Sequence, residues 1–227
     1  MSICEGLETI FTIDDVKQEI KNFILEKRPK SDSDTGRNTY TYIGAIAEFF
    51  IHLFLNYIGF KQECLYFNLE ERSIKKGFDG YYSFNDETWI MESKSGYQNS
   101  EGANHENKLR ISYQQLKDKI TSNNPSLNNP WRNALNHARV ALSQQDILKE
   151  LQLFSQQYIR GEINNSIEDF NLIPCSTIYY MSNWEENKNS IIESVKGILN
   201  DFEYKNLKII CINKHFKKLF LKYLGVS

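Results

Sequence analysis

The chain has 227 residues, 41% of them apolar and 25% charged, with a formal net charge of -2. This is ordinary globular composition, and the length suits one domain or one with a small appendage. It excludes collagen, coiled coil, a disordered tail and a stapled mini-protein, and no run of about 18 uncharged apolar residues offers a membrane span.

The opening MSICEGLETIF carries Glu5 and Glu8 and no basic segment, so it does not read as a signal peptide. Asp14 and Asp15 behind Thr12 mark a helix start, and Ile13, Val16, Ile20, Phe23 and Ile24 give a helical stripe to about Lys27. Residues 28–39 form a polar loop. Tyr40–Tyr57 is a second, very apolar helix ending near Gly59. The period then changes. Glu63–Leu69, Phe78–Phe84 and Thr88–Lys94 read as short strands, the last two joined by a turn at Asn85-Asp86-Glu87. A Gly/Ser/Asn-rich loop (95–107) leads to a helix over Lys108–Ser122, with Leu109, Tyr113, Leu116 and Ile120 on one face. After the loop NNPSLNNP come a long helical stretch, whole or broken (Trp131–Arg160), a strand (Cys175–Met181), a helix (Glu185–Asn200), a strand (Leu207–Ile212) and a last helix (Lys214–Leu224). A three-strand meander followed by alternating helices and strands predicts an α/β fold with a mixed sheet flanked by helices.

Chemistry concentrates in residues 77–96, GFDGYYSFNDETWIMESKSG. Side chains alternate along a strand, so Ile90, Glu92 and Lys94 share one face. A carboxylate and an ammonium there are poor core residues, because burying either alone is costly. They read either as a water-exposed ion pair or as a site. Folding the hairpin brings Asp79 toward Glu92. Two carboxylates suit a hard divalent cation such as magnesium, and a lysine beside a metal-bound water can orient that water while the metal stabilises charge on a phosphate. The tripeptide itself is unspecific, since Glu19-Ile-Lys21, Glu106-Asn-Lys108, Glu186-Asn-Lys188 and Glu203-Tyr-Lys205 repeat it. Only Glu92-Ser-Lys94 closes an apolar strand and follows one bearing Gly-x-Asp-Gly. In the preceding helix Gly44, Glu48, His52 and Asn56 recur every fourth residue. They form either a narrow wet face or a stripe that turns Glu48 toward the hairpin as a third acid, with His52 as a further ligand.

Glu48 on a helix, Gly77-Phe-Asp79 on a strand and Glu92-Ser-Lys94 on the next strand resemble the PD-(D/E)xK nuclease superfamily, with Phe78 where the name has proline. The resemblance implies a restriction-endonuclease-like αβββαβ core. It also implies Glu48, Asp79 and Glu92 around magnesium or manganese, and Lys94 at the nucleophilic water. On this reading residues 1–227 form one nuclease domain: an N-terminal helix and loop (1–39), a core (40–181) and a C-terminal α-β-α extension (182–227). Gly44-x-x-x-Glu48, Lys76-Gly-Phe-Asp-Gly80 and Met91-Glu-Ser-Lys94 with Tyr97 are, more narrowly, similar to the HamA family, the nuclease subunits of Hachiman anti-phage systems. That similarity implies a DNA-cleaving effector restrained by a helicase partner. It covers residues 44–97, and substrate and partner rest on analogy.

Other features are less telling. Lys108, Arg110, Lys117 and Lys119 on the next helix, and Arg72, Lys75 and Lys76 before Asp79, read as phosphate contacts or as solvated charges. Lys214, Lys217, Lys218 and Lys222 form a basic face on the last helix. Tyr179 and Tyr180 read as core. No Gly-x-x-x-x-Gly-Lys loop exists, so no nucleotide cofactor is expected. Four scattered cysteines (Cys4, Cys64, Cys175, Cys211) read as free thiols in a reducing, cytoplasmic compartment. Lys/Asn-rich usage suggests a bacterial, AT-rich genome. The expected activity is metal-dependent hydrolysis of DNA, lost in Glu92→Ala and Lys94→Ala with the fold intact. The alternatives are a stand-alone restriction-type enzyme and an inactive nuclease-fold binding subunit.

Overall fold

Asn85 and Asp86 both take positive φ (51° and 60°), and Phe84 pairs directly with Glu87. The turn therefore has two residues rather than three, in the left-handed conformation that Asn and Asp tolerate and that matches the twist of a hairpin. It joins β2 (Gly80–Phe84) to β3 (Glu87–Tyr97). The computed structural model describes residues 13–27, 37–64, 77–122, 128–141, 143–179, 188–213 and 216–225.

Ahead of the hairpin lie α1 (Ile13–Lys27), α2 (Arg37–Tyr57) and β1 (Lys61–Gln62). α2 starts three residues before the predicted Tyr40. β1 pairs antiparallel with β2, and the Glu63 amide extends that pairing to the Tyr81 carbonyl at 2.8 Å. Most of the predicted strand Glu63–Leu69 lies outside the described residues. After β3 come α3 (His105–Thr121), α4 (Pro130–Val140), α5 (Gln145–Arg160), a 3-10 turn at Ile167–Asp169 and β4 (Asn171–Tyr179). α6 (Lys188–Ile198), β5 (Asn206–Leu207), β6 (Ile210–Asn213) and α7 (Phe216–Tyr223) complete the order. The long helix expected over Trp131–Arg160 is thus two helices. Asn104 and Asn129 cap α3 and α4 by accepting from the amides of Asn107 and Arg132.

The fold is α/β, with an open mixed sheet of six strands in the order β1-β2-β3-β4-β5, and β6 also beside β4. β3 and β4 run parallel from Trp89↔Asn171 to Tyr97↔Tyr179. This pairing carries β3 three residues past Lys94, so Ser95, Gly96 and Tyr97 are strand and not loop. β5 and β6 both pair parallel with β4 and replace the single strand expected over Leu207–Ile212.

One face of the sheet packs Tyr81, Ile90 and Leu172 against Leu109, Tyr113, Leu116 and Ile120 of α3, Trp131 of α4, Leu151 of α5 and Ile198 of α6. The other face sets Tyr82, Trp89, Met91, Ile173 and Cys175 against Ile51 and Leu55 of α2. A further cluster joins α1, α2, Tyr179 and Phe220. Tyr179 is core, as expected, and donates to the Ile43 carbonyl at 2.9 Å; Tyr180 lies outside the described residues. Cys64, Cys175 and Cys211 are free thiols. Among the described residues no helix is long and apolar enough to cross a membrane.

β4 passes through Pro174, which the expected strand start at Cys175 left out. Pro174 stands opposite Glu92 inside the sheet and has no N–H to give the ladder. Ser112 of α3 bridges β3 and β4 beside it. Its hydroxyl donates to the Glu92 carbonyl at 2.7 Å and accepts from the Cys175 amide at 3.3 Å. A buried hydroxyl with both roles used joins the Glu92 carbonyl to the Cys175 amide and pins α3 over β3 at the position of Glu92.

Candidate active site

β2 begins at Gly80, paired with Met91, whereas β3 runs on to Tyr97. One further step in the same register sets Asp79 beside Glu92. The Asp79 carboxylate takes over where β2 stops, and its Oδ2 accepts from the Ser93 amide at 2.8 Å. Asp79 is held in place from behind. Phe78 is 1% exposed and lies edge-on to Trp131 at 4.8 Å. Gly77 has φ +77° and approaches α4 so closely that a Cβ there would lie 2.3 Å from the Pro130 carbonyl oxygen. Only glycine accepts both conditions.

Glu92 and Lys94 share the face that the strand period predicts. Lys94 Nζ donates to Glu92 Oε1 at 2.7 Å and to the Ser93 carbonyl at 3.0 Å. The other carboxylate oxygen, Oε2, accepts from Lys119 Nζ at 2.6 Å. Glu92 is only 2% exposed, so the reading of a water-exposed pair is excluded and two ammonium groups take the place of water around it. Its nearly full burial also revises the expectation that Glu92→Ala leaves the fold untouched, because that change strands two lysines. Breaking a buried pair from one side typically costs about 3–5 kcal/mol.

Glu48 is half-buried on α2, and its charge acts on Lys94 and Tyr82. Gly44, one turn earlier, brings α2 to 4.0 Å of Ser95 Oγ, measured from the position of a Cβ. The stripe Gly44–Glu48–His52 therefore faces the sheet and is not a wet face. His52 is fully buried, and its Nδ1 hydrogen-bonds the Tyr82 hydroxyl. That is a structural partnership.

Glu92, Asp79 and Glu48 thus all act on Lys94, and Lys119 acts on Glu92. The surplus of negative charge shows in both kinds of group. Burial, then the charge of Asp79, raise the Glu92 carboxyl above its ordinary value, and Lys119 and Lys94 offset this only in part. Burial alone lowers Lys94, but Glu92, Asp79 and Glu48 together outweigh it and raise it above the ordinary lysine value. Lys94 is therefore an ammonium at neutral pH. It donates hydrogen bonds and is not a proton acceptor.

Lys108 lies along the same face of α3 as Ser112 and Lys119. A Cβ on Gly96 would lie 3.2 Å from its Nζ. Burial, then the charge of Lys94, lower it, and no carboxylate among the described residues pairs with it. Arg110 is not brought to this place: it pairs with Glu106 at 3.3 Å and with Asp201 at 2.8 Å, on the side toward α6. Lys117 pairs with Glu203. Lys76, Arg72, Lys75 and Lys214 lie outside the described residues. Sequence reasoning placed Lys119 among phosphate contacts and missed its hold on Glu92. Its position on one helical face with Lys108 and Ser112 is the signal that could have found it.

Hard oxygen donors and a negative surplus fit a hard divalent cation in type and charge. They do not form a ready-made cage: among the described residues no three His, Cys, Asp or Glu side chains are grouped to hold a metal. No family model, curated protein or solved structure matches the chain.

Proposed function

We propose that the chain is a metal-dependent nuclease that hydrolyses phosphodiester bonds in DNA. The observation that carries this reading is the convergence of Asp79, Glu92 and Lys94 where β3 outruns β2, with Glu48 acting on the same lysine. The order α2-β1-β2-β3-α3, then β4 after the further helices α4 and α5, is compatible with the αβββαβ plan of the PD-(D/E)xK nucleases. Glu92, Asp79 and Glu48 are the residues to hold magnesium or manganese. Such an ion, when bound, stabilises the charge gained by the phosphate and acidifies water. Asp79 is oriented by the Ser93 amide. Lys94 donates a hydrogen bond that orients the water, and as an ammonium it supports developing negative charge. Lys108, close by and with no carboxylate partner among the described residues, is placed to meet a phosphate oxygen.

The similarity to Hachiman nuclease subunits extends the proposal to an anti-phage effector working with a helicase partner. The test is cleavage of plasmid and linear DNA with magnesium or manganese, comparing wild type with Glu92→Gln and Lys94→Met. Metal-dependent cleavage absent from both variants supports the reading; cleavage that persists in either one rejects the assigned site. Discrete bands in place of general degradation point to a restriction-type enzyme.

One observation favours a second reading, an inactive nuclease-fold binding subunit. Both oxygens of Glu92 are already occupied by ammonium groups. On that reading neither magnesium nor manganese raises the melting temperature, because no ligand binds the native state.

A further inference from the structure

Glu92 has two carboxylate oxygens and two lysines, one on each. The lysines are not held alike. Lys94 is two residues away on the same strand and donates to both Glu92 Oε1 and the Ser93 carbonyl. Lys119 reaches in from α3, and its one hydrogen bond among the described residues is to Glu92 Oε2, at 2.6 Å. Its side chain is 27% exposed, so the ammonium has a path to water on a flexible four-carbon stem. It also lies 5.9 Å from the centre of the Phe78 ring, a distance at which an aromatic face attracts a cation. Lys94 is nearly as exposed, at 23%, so what separates the two lysines is the number of holds, two on Lys94 and one on Lys119.

We infer that Lys119 is a positioning residue that locks Glu92: its ammonium stands in for a divalent cation at Oε2, and the metal gains that oxygen only by displacing it. The inference rests on the metal-dependent reading above and names the regulation of that same site. Coulomb repulsion supplies the reason, since a doubly charged ion at Oε2 and an ammonium 2.6 Å from that oxygen cannot share it. While Lys119 is in place the buried carboxylate is neutralised without metal. Once released, its charge is available beside the site.

The test is calorimetric titration of the full chain with manganese ion. Lys119→Met keeps much of the aliphatic stem and removes the charge. It binds manganese at least about tenfold more tightly than wild type, and the gain disappears when Glu92→Gln is added. Lys119→Arg retains a cation with a forked grip and binds no more tightly than wild type. Lys108→Met, which removes a nearby charge that does not touch Glu92, changes affinity by no more than about threefold. Thermal unfolding in chelator establishes that each variant is folded, and Lys119→Gln replaces Lys119→Met should that one fail. Equal affinity in wild type and Lys119→Met, or an equal gain in Lys108→Met, overturns the lock and leaves the metal site standing. No binding in any variant overturns the metal-dependent reading, and the lock with it.

Discussion

The Ser93 amide donates to Asp79 Oδ2 at 2.8 Å, just past the last β2–β3 pair. A side chain thus ends the ladder where a strand would have continued it. The arrangement fixes an aspartate beside Glu92 and leaves the flank of β3 from Glu92 to Tyr97 without β2. Asparagine can accept the same hydrogen bond but carries no charge. Asp79→Asn is therefore expected to lower metal-dependent cleavage by at least about 10²-fold while shifting the melting temperature by only a few degrees. A variant that unfolds, or one that still cleaves at the wild-type rate, contradicts the role given to Asp79.

The raised Glu92 carboxyl makes stability depend on pH in a definite direction. The folded state holds this proton more tightly than the unfolded chain does, whose value is the ordinary 4.5. The stabilising contribution is whole below that value and is lost as pH rises through the raised one. In chelator, wild type should lose stability relative to Glu92→Gln as pH climbs above 4.5. A constant difference in melting temperature across that range removes the buried, negatively overcharged cluster from consideration.

Ser112 bridges β3 and β4 beside Pro174. Ser112→Ala removes a hydroxyl that is fully buried and used on both sides. The Glu92 carbonyl and Cys175 amide then lack this partner, which is expected to cost about 1–3 kcal/mol. Denaturant unfolding measures it; a change below about half a kcal/mol shows that the ladder closes without help.

Gly77→Ala tests the support behind Asp79. The substitution puts a methyl against the Pro130 backbone at a positive φ. Steric displacement of this kind is expected to cost more than about 2 kcal/mol and to reduce cleavage together with stability. Wild-type stability in this variant means that the segment shifts freely and does not position the aspartate.

The acids and the lysine of the candidate site were legible because their placement is local. A period of two puts Glu92 and Lys94 on one face, a tight turn returns Asp79 toward them, and a period of about four puts Glu48 in line with Gly44. The same rules gave the helical face of Leu109, Tyr113, Leu116 and Ile120, all buried as expected. What local pattern could not supply was any pairing across sequence distance. β3 reaches Tyr97 because β4, more than seventy residues later, lies beside it. Ser112 of a helix reaches in between the Glu92 carbonyl and the Cys175 amide, 63 residues away.

The sequence by itself determined the residue types at the site, the hairpin that gathers them and the α/β class, since each follows from spacing along one chain segment. Tertiary structure decided what those residues meet. It turned an expected Glu–Lys pair into a buried carboxylate held by two lysines, one of them 27 residues away. It sent Arg110 to Asp201 and away from the site, and it made His52 a partner of Tyr82. The physical reason is that burial and charge balance are properties of a packed neighbourhood, and no single segment contains one.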